Sequence, residues 1–544
     1  MNGHKSTHKT IKQLKSNFDM NGLRNNAARQ ALQKHSEKFK RKDFRLRGLF
    51  DKHSNRFSEH SLSHEGLLLD YSKNFIDSET ISLLLDLVEQ RQLPAAIDAM
   101  FHGEKINTTE QRAALHVALR NPSADTNTPE VSTSLARMEK LVAEVHGGMW
   151  TGYSGKAITD VVNLGIGGSN LGPAMVCDAL SSFSVAKLSV HFVSNIDPSH
   201  LQNTLKDLRA ETTLFIVASK SFSTIETLAN AEVAREWLLQ EADATAMAKH
   251  FVAISTNLSA ATEFGIDEKN LFPLWDWVGG RFSLWSAIGL PIALATGMEG
   301  FRQLLAGAHS MDEHFRTAPA EKNLPVILAL INFWYREYFD AHSTAVVPYS
   351  QCLNLLPSFL QQLCMESLGK SVDLEGKPLD YNTGDIIWGT AGSNGQHSYF
   401  QLLHQGTEFI PVDFIAVANS DVDSGAEAQQ QLLANCFSQS LALMEGKQNT
   451  DSTHKLAAGN KPSNTLLLEE LSPYNLGMLL ALYEHKVYAL SVLWDINAFD
   501  QWGVELGKKL STEVFAALSA ETSEGKLDAS TQGLIEKTQQ WRKN

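Results

Sequence analysis

Cysteine is scarce. Four residues (Cys177, Cys352, Cys364 and Cys436) are scattered through 544, and no two form a C-x-x-C pair. That speaks against a disulfide framework and against a structural zinc site. Reduced thiols in a cytoplasmic enzyme are the simplest reading. An excess of positive charge is also missing. The formal charge of −14 argues against a nucleic-acid or anionic-membrane partner, because phosphate backbones are bound by net basic surfaces. It does not argue against a small phosphorylated ligand, which needs only a local positive pocket. Long apolar runs are absent too. The longest uncharged stretch, Phe282 to Met298, is broken by Ser283, Ser286, Gly289, Pro291, Thr296 and Gly297. It reads as a buried helix plus a turn, not a membrane span. The stretch from Met1 to Lys15 is polar and basic without an apolar centre, so it does not read as a secretory signal.

What is present is ordinary globular material: 43% hydrophobic and 20% charged residues, enough for a sizeable core and too long for one domain. Residues 1 to about 120 read as mostly helical, from segments such as Leu67 to Leu69 and Ile81 to Val88. A polar stretch from Asn121 to Glu130 reads as a loop or linker. Short apolar strands then alternate with helix-period segments. Ala157–Leu164, Ser189–Ser194, Thr212–Ala218 and Phe251–Ser255 are strands, with helices expected over Pro173–Leu180, His200–Leu208 and Thr224–Leu239. The pattern resumes with strands at Ala345–Tyr349, Ile386–Trp388, Phe409–Val417 and Thr465–Leu468. Helical runs at about 300–340, 353–368, 426–445 and 473–494 separate them. This predicts an α/β fold of two parallel-sheet domains, at about 121–290 and 320–510, with a helical tail over 511–544. Ser472-Pro473 supplies a cap and a first-turn proline for one of the helices.

Six segments could carry chemistry. Gly165-Ile-Gly-Gly-Ser-Asn-Leu-Gly-Pro173 follows a strand and opens a helix, where a glycine turn lets backbone amides approach a phosphate or sugar. A dinucleotide fingerprint would need glycine or alanine at 170, and Asn170 stands there; a turn needed only for packing is the plainer alternative. Ala218-Ser-Lys-Ser-Phe-Ser-Thr-Ile-Glu-Thr227 crowds hydroxyls into another strand-to-helix turn, which suits an anion beyond the needs of an ordinary cap. Arg281, between a Gly-Gly pair and an apolar run, should be paired with an acid or an anionic ligand. Glu366, in the fairly apolar Gln361–Lys370 segment, is either a desolvated general base or a solvated helical glutamate. His397 follows a glycine-rich turn and is suited to acid–base work or to a structural role. His404 lies seven residues on, but no third ligand accompanies the pair, so no metal is expected. Phe499–Lys508 places Gln501 and Lys508 two turns apart on one helical face.

Together these segments resemble the phosphoglucose isomerase family. The resemblance is carried by Gly165–Pro173, Gly279-Gly-Arg-Phe-Ser-Leu-Trp-Ser286, Phe499–Lys508, Ser219–Thr227, Met365-Glu-Ser367, Gly392–His397 and Ala114-Leu-His-Val-Ala-Leu-Arg-Asn121. It implies two sugar-isomerase-type αβα domains, interconversion of an aldose and a ketose phosphate, no cofactor and no metal. It also implies a homodimer whose site takes its histidine from the neighbouring subunit. By resemblance, Ser219, Ser221 and Thr224 hold the phosphate with the Lys220 amide, and Gly168, Ser169, Gln362 and Gln501 touch the sugar. Glu366 moves the proton, Arg281 stabilises the enediolate, and His397 with Lys508 opens the ring; Glu226 stands behind them as a second carboxylate. The sequence departs from the family's usual pattern at Asn170, Ser221 and Leu368. The competing readings are a non-catalytic sugar-phosphate-binding regulator, an enzyme for mannose 6-phosphate or an amino sugar phosphate, and a nicotinamide dehydrogenase. The joint presence of Glu366, His397 and Arg281 argues against the first, and Asn170 against the last.

Overall fold

Strong local signals set the helix starts. Asn26 accepts a hydrogen bond from the Ala28 amide (2.9 Å) at the head of α1 (Ala27–Lys40). Asp77 and Thr80 form a reciprocal capping box on α2 (Ser78–Gln90). The computed structural model describes residues 26–122, 128–185, 188–419, 425–447, 451–519 and 527–542. The Met1–Lys15 segment, the centre of the 121–130 loop and part of the C-terminal tail lie outside the described residues. Residues up to Ala498 form one unit, and those from Phe499 form another.

The N-terminal region, expected to be helical, also carries a hairpin of β1 (Ser61–His64) and β2 (Leu67–Asp70). Leu67 and Leu69 are buried and Leu68 is half-buried, so the leucine run alternates across a pleat instead of lining a helix. Glu65 (φ 39°) and Gly66 (φ 83°) make the two-residue turn whose left-handed backbone matches strand twist. Among the described residues the strands form two sheets.

The first sheet holds β3 (Asp160–Leu164), β4 (Ser189–Val193), β5 (Thr213–Ala218), β6 (Phe251–Ser255) and β7 (Leu271–Pro273), in the order β4-β3-β5-β6-β7 and all parallel. β5 and β6 are buried along their whole length, which is why they read as continuous apolar runs. The helices α3 (Pro129–His146), α4 (Leu171–Ala179), α5 (Pro198–Leu205) and α6 (Ile225–Leu239) accompany it. Leu201 and Leu205 of α5 and Ala231, Ala234 and Leu238 of α6 share one core with Val162, Leu164, Phe215 and Val217. The chain runs from β3 to β4 on one side, then crosses to β5 on the other. The reversal therefore falls between β3 and β5, and the crevice beyond their carboxyl ends is where such sheets take ligands.

The second sheet joins the hairpin to β8 (Ser343–Tyr349), β9 (Ile386–Trp388), β10 (Val412–Val417) and β11 (Ser463–Leu468), in the order β1-β2-β11-β10-β8-β9. Strands β8 to β11 are mutually parallel, while β2 pairs antiparallel with β11. The run expected at about 300–340 is two helices, α7 (Leu290–Thr317) and α8 (Leu324–Tyr338). Asn323 caps the second, and Pro325 sits in its first turn. α9 (Ala426–Glu445) lies between β10 and β11, and α10 (Pro473–Trp494) follows β11. Ser472 caps α10 at the Asn475 amide (3.3 Å). α10 is long and apolar enough to cross a membrane, yet 94% of its apolar window is buried inside the protein, against α7 and α8. It is a core helix by that burial.

In the second unit a single turn at Trp502–Val504 precedes α11 (Glu505–Ser519) and α12 (Ala529–Arg542), which are joined by a Gln539 to Ala517 hydrogen bond of 3.1 Å. Gln501 stands before that turn in a non-helical conformation. Gln501 and Lys508 therefore do not share one helical face, as their spacing had suggested; the break falls at Trp502-Gly503.

Candidate active site

Two loops face the crevice at the ends of β3 and β5. The first is Gly165–Asn170. Gly167 has φ +58°, and a Cβ on Gly168 would lie 2.0 Å from the Gly280 carbonyl oxygen. Only glycine lets this loop press onto the backbone of the Gly279–Arg281 segment. A Cβ on Gly167 would come within 3.0 Å of Gln362 Nε2, so the same loop also meets Gln362. Asn163 Nδ2 donates to the Ser169 carbonyl (3.0 Å) and fixes the turn from beneath.

The second loop carries the hydroxyls. Ser219 Oγ and Thr224 Oγ1 lie 3.1 Å apart, and Ser221 Oγ and Ser223 Oγ 2.7 Å apart. Thr224 is the N-cap residue of α6, but its side chain makes no capping hydrogen bond. The helix's first-turn amides and the positive end of its dipole are left to an outside acceptor. The buried Thr227 hydroxyl has no hydrogen-bond partner among the described residues. Lys220 turns its ammonium away from the hydroxyls, to the carbonyls of Val278 (2.8 Å) and Asp276 (3.3 Å). Burial and then the nearby Arg112 charge push its pKa below the ordinary lysine value. Lys220 thus ties the hydroxyl loop to the chain leading into Arg281. Ser219, Lys220, Ser221 and Thr224 are brought together as their spacing indicated.

Glu366 and Gln362 come from an unusual element. The helical turn Leu356–Leu360 widens into a π-helix over Gln361–Glu366. Wide turns of this kind are rare and concentrate at functional sites. Glu366 is the last residue of that turn, with 23% of its side chain exposed. Arg281 is buried, and its Nη1 lies 3.6 Å from Glu366 Oε2. Its Nε donates to Ser367 Oγ (2.7 Å), and its Nη2 donates to the Ala498 carbonyl. The guanidinium is therefore held on its far edges by fixed acceptors, with a carboxylate beside it at the crevice. Gly168, Arg281, Gln362 and Glu366 converge.

Sequence reasoning missed what holds Arg281 in place. Beneath it lies a buried charged network. Arg120 makes two hydrogen bonds to Asp312 (2.6 and 2.7 Å) and one to Glu484 (2.6 Å). Glu484 accepts from Trp285 Nε1 (2.8 Å), and His485 bonds Asp312 (2.7 Å). His116 packs against Phe282 with tilted rings, centroids 4.7 Å apart. Trp285 and Phe282 belong to the segment that carries Arg281. Burial opposes the Asp312 charge, but Arg120 and His485 outweigh it and bring the carboxyl to about 2. Its contribution to stability is present above the unfolded value of 3.8 and is lost as pH falls toward 2. Burial pushes Glu484 the other way, upward, against Arg120. Arg120→Met leaves two carboxylates buried without their cation. It should cost about 3–5 kcal/mol of stability, read as a lower urea midpoint. A loss below about 1 kcal/mol would mean the network is already hydrated. The signal available in the sequence was Glu484-His485-Lys486 inside an otherwise apolar helix.

The other expected residues lie on further elements of the chain. His397 is exposed at the end of the short Gly392–Gln396 helix, and its imidazole has no hydrogen-bond or ion-pair partner among the described residues. Lys508 Nζ pairs with Glu505 (2.7 Å) within the second unit, which also holds Gln501. Glu226 sits in the first turn of α6. His404 bonds Gln439 (2.9 Å). Among the described residues His35, Asp77 and Glu79 have ligand atoms close enough for a metal ion, but Lys38 Nζ already sits 2.5 Å from Asp77.

Residues 70–535 match the family model for phosphoglucose isomerase. A curated relative from Chlorobium luteolum, named glucose-6-phosphate isomerase, is 50% identical over 546 residues, covering 96% of this chain and 98% of its own. One of the same name from Shewanella pealeana is 50% identical over 542 residues, covering 95% and 98%. The crystal structure of a glucose-6-phosphate isomerase from Chlamydia trachomatis superposes with a TM-score of 0.85 at 33% identity, over 96% of this chain and all of that one. The parallel first sheet, the mixed second sheet, the paired loops at the crevice of the first and these similarities agree: the chain belongs to the phosphoglucose isomerase family.

Proposed function

We propose that this chain interconverts D-glucose 6-phosphate and D-fructose 6-phosphate, in glycolysis and gluconeogenesis, by ring opening and proton transfer through a cis-enediol(ate). The observation that carries the reading is the buried Arg281 guanidinium 3.6 Å from the partly open Glu366 carboxylate, on the crevice that the hydroxyl loop also faces. A proton beside a carbonyl needs a base and a stable positive charge for the oxyanion. The uncapped helix and its hydroxyls supply the anchor for a phosphate dianion.

In this reading Ser219, Ser221 and Thr224 hold the phosphate with the Lys220 amide, and Gly168, Ser169, Gln362 and Gln501 contact the sugar. His397 and Lys508 transfer the protons that open the ring. Glu366 takes the proton from C2, the C–H electron pair becomes the C1–C2 double bond, and the aldehyde oxygen gathers negative charge beside Arg281. A proton passes from the C2 hydroxyl to the C1 oxygen, Glu366 returns its proton to C1, and the carbonyl is then at C2. No metal or redox cofactor enters this scheme. We assign Glu226 a supporting role behind the phosphate loop. The division into αβα domains at about 121–290 and 320–510, a cytoplasmic location, and the absence of nucleic-acid and membrane partners belong to the same reading.

The enzyme acts as a homodimer with a shared site, which the exposed, unpartnered His397 imidazole supports. His397→Ala and Glu366→Ala subunits, each inactive alone, should then regain activity when dissociated, mixed and re-dimerised. The ceiling is about a quarter of wild type, since half the dimers carry one intact site. No recovery, with mixed dimers shown to form, would place both residues in one chain's site. The activity itself is tested with fructose 6-phosphate, EDTA and a glucose-6-phosphate dehydrogenase reporter. Steady NADPH formation is expected. Silence from folded protein would favour the sugar-phosphate-binding regulator, and phosphate-ester binding would be measured next.

A further inference from the structure

Phe222, in the hydroxyl loop, has no role in the scheme above. Phe222 sits between Ser221 and Ser223, and its backbone is left-handed, with φ 49°. Among the described residues seven non-glycines take positive φ: Glu65, Gln92, Gln111, Phe222, Asp340, Asn460 and Asp495. Phe222 is the one that is buried, at 5% exposure, and the one with a bulky apolar side chain. A bulky residue in that region is strained and persists only where its surroundings over-determine it.

The surroundings are on both sides of the chain. Phe222 N donates to the Ser219 carbonyl (3.1 Å), closing a turn. The left-handed residue at the end of that turn swings the chain back, so that Thr224 Oγ1 meets Ser219 Oγ at 3.1 Å. The ring points the other way, into the core of the first sheet. It meets Phe264 edge-on at 6.0 Å, and Leu228 packs against the same core. Burial of the ring offsets the backbone strain. The hydroxyls and the free amides of α6 are thereby set before any ligand arrives.

We infer that Phe222 is the positioning residue of the phosphate loop: its buried ring holds the strained turn that gathers Ser219, Ser221 and Thr224 into one anion site. This rests on the reading of that loop as the phosphate site. Phe222→Gly relieves the φ strain and removes the anchor. KM for fructose 6-phosphate and the inhibition constant of inorganic phosphate should both rise about 10-fold or more, with kcat at saturation within about 3-fold. Phe222→Leu, which keeps an apolar anchor, should return both constants to within about 3-fold of wild type. A residue serving stability alone would lower the thermal midpoint and leave both constants of the folded enzyme unchanged, and that result overturns the inference. If Phe222→Gly does not fold, Phe264→Ala decides. A rise of about 3-fold in both constants supports the anchor, and unchanged constants overturn it. The double variant Ser219→Ala, Thr224→Ala separates the two layers. If it leaves the phosphate inhibition constant unchanged, the site reading itself fails. If it raises that constant while Phe222→Gly does not, only the role of Phe222 is lost.

Discussion

Glu366→Gln is expected to lower kcat on the order of 10²–10⁴-fold, the usual worth of a positioned base. The inhibition constant of inorganic phosphate should stay within about 3-fold of wild type, because the phosphate anchor is on a different element. The amide is nearly isosteric, so the π-helical turn and the approach of Arg281 Nη1 survive the change. What is lost is the ability to take a proton from carbon. The turn matters to that ability. Glu366 ends the Gln361–Glu366 segment, and the next residue, Ser367, is fully buried and accepts from Arg281 Nε. Base and electrophile are thus fixed by adjacent residues. Steady-state kinetics with fructose 6-phosphate checks the point. A Glu366→Gln enzyme within about 10-fold of wild type would remove Glu366 from the base role.

Arg281→Lys should lower kcat on the order of 10²–10³-fold, the scale of losing one preorganised oxyanion donor. The substitution keeps a positive charge, so the loss isolates geometry. Arginine spans three contacts here: Ser367 Oγ, the Ala498 carbonyl and the Glu366 side. A lysine ammonium cannot reach all three, and as a compact point charge it has no fixed fork with which to face the substrate oxygen. Circular dichroism and the thermal midpoint establish that the variant is folded before its kinetics are read. A folded Arg281→Lys enzyme with near wild-type kcat would mean that the enediolate is stabilised elsewhere.

Much of this was legible in the sequence. The strands β5 and β6 announce themselves because they are buried along their whole length and carry nearly continuous apolar runs, and β3, β10 and β11 keep shorter apolar runs beside Asn163, Asp413 and Asn464. α9 and α10 match the helical runs read at 426–445 and 473–494. The two loops at the crevice are readable because a glycine turn and a cluster of hydroxyls each follow a strand and open a helix. The hairpin at Ser61–Asp70 was not readable in the same way. Leu67-Leu-Leu69 fits either period, and only pairing with β11 makes it a strand. The π-helix leaves no mark of its own in composition. The Arg120–Asp312–Glu484 network is marked only by the charged triplet in apolar α10, because its members are 192 and 364 residues apart and meet only through tertiary packing. Gln501 and Lys508 failed as a helical pair because the chain turns at Trp502–Val504 before α11 begins.

In the proposed scheme a carbon-bound proton passes through Glu366. Isomerisation of glucose 6-phosphate in deuterium oxide tests it directly, with the product examined by NMR. An enediolate held beside an exchangeable carboxyl predicts deuterium at C1 of fructose 6-phosphate, and its loss along with turnover in Glu366→Gln. Deuterium entering C1 at an unchanged rate in Glu366→Gln would mean that another group takes the proton from carbon, and would contradict the account.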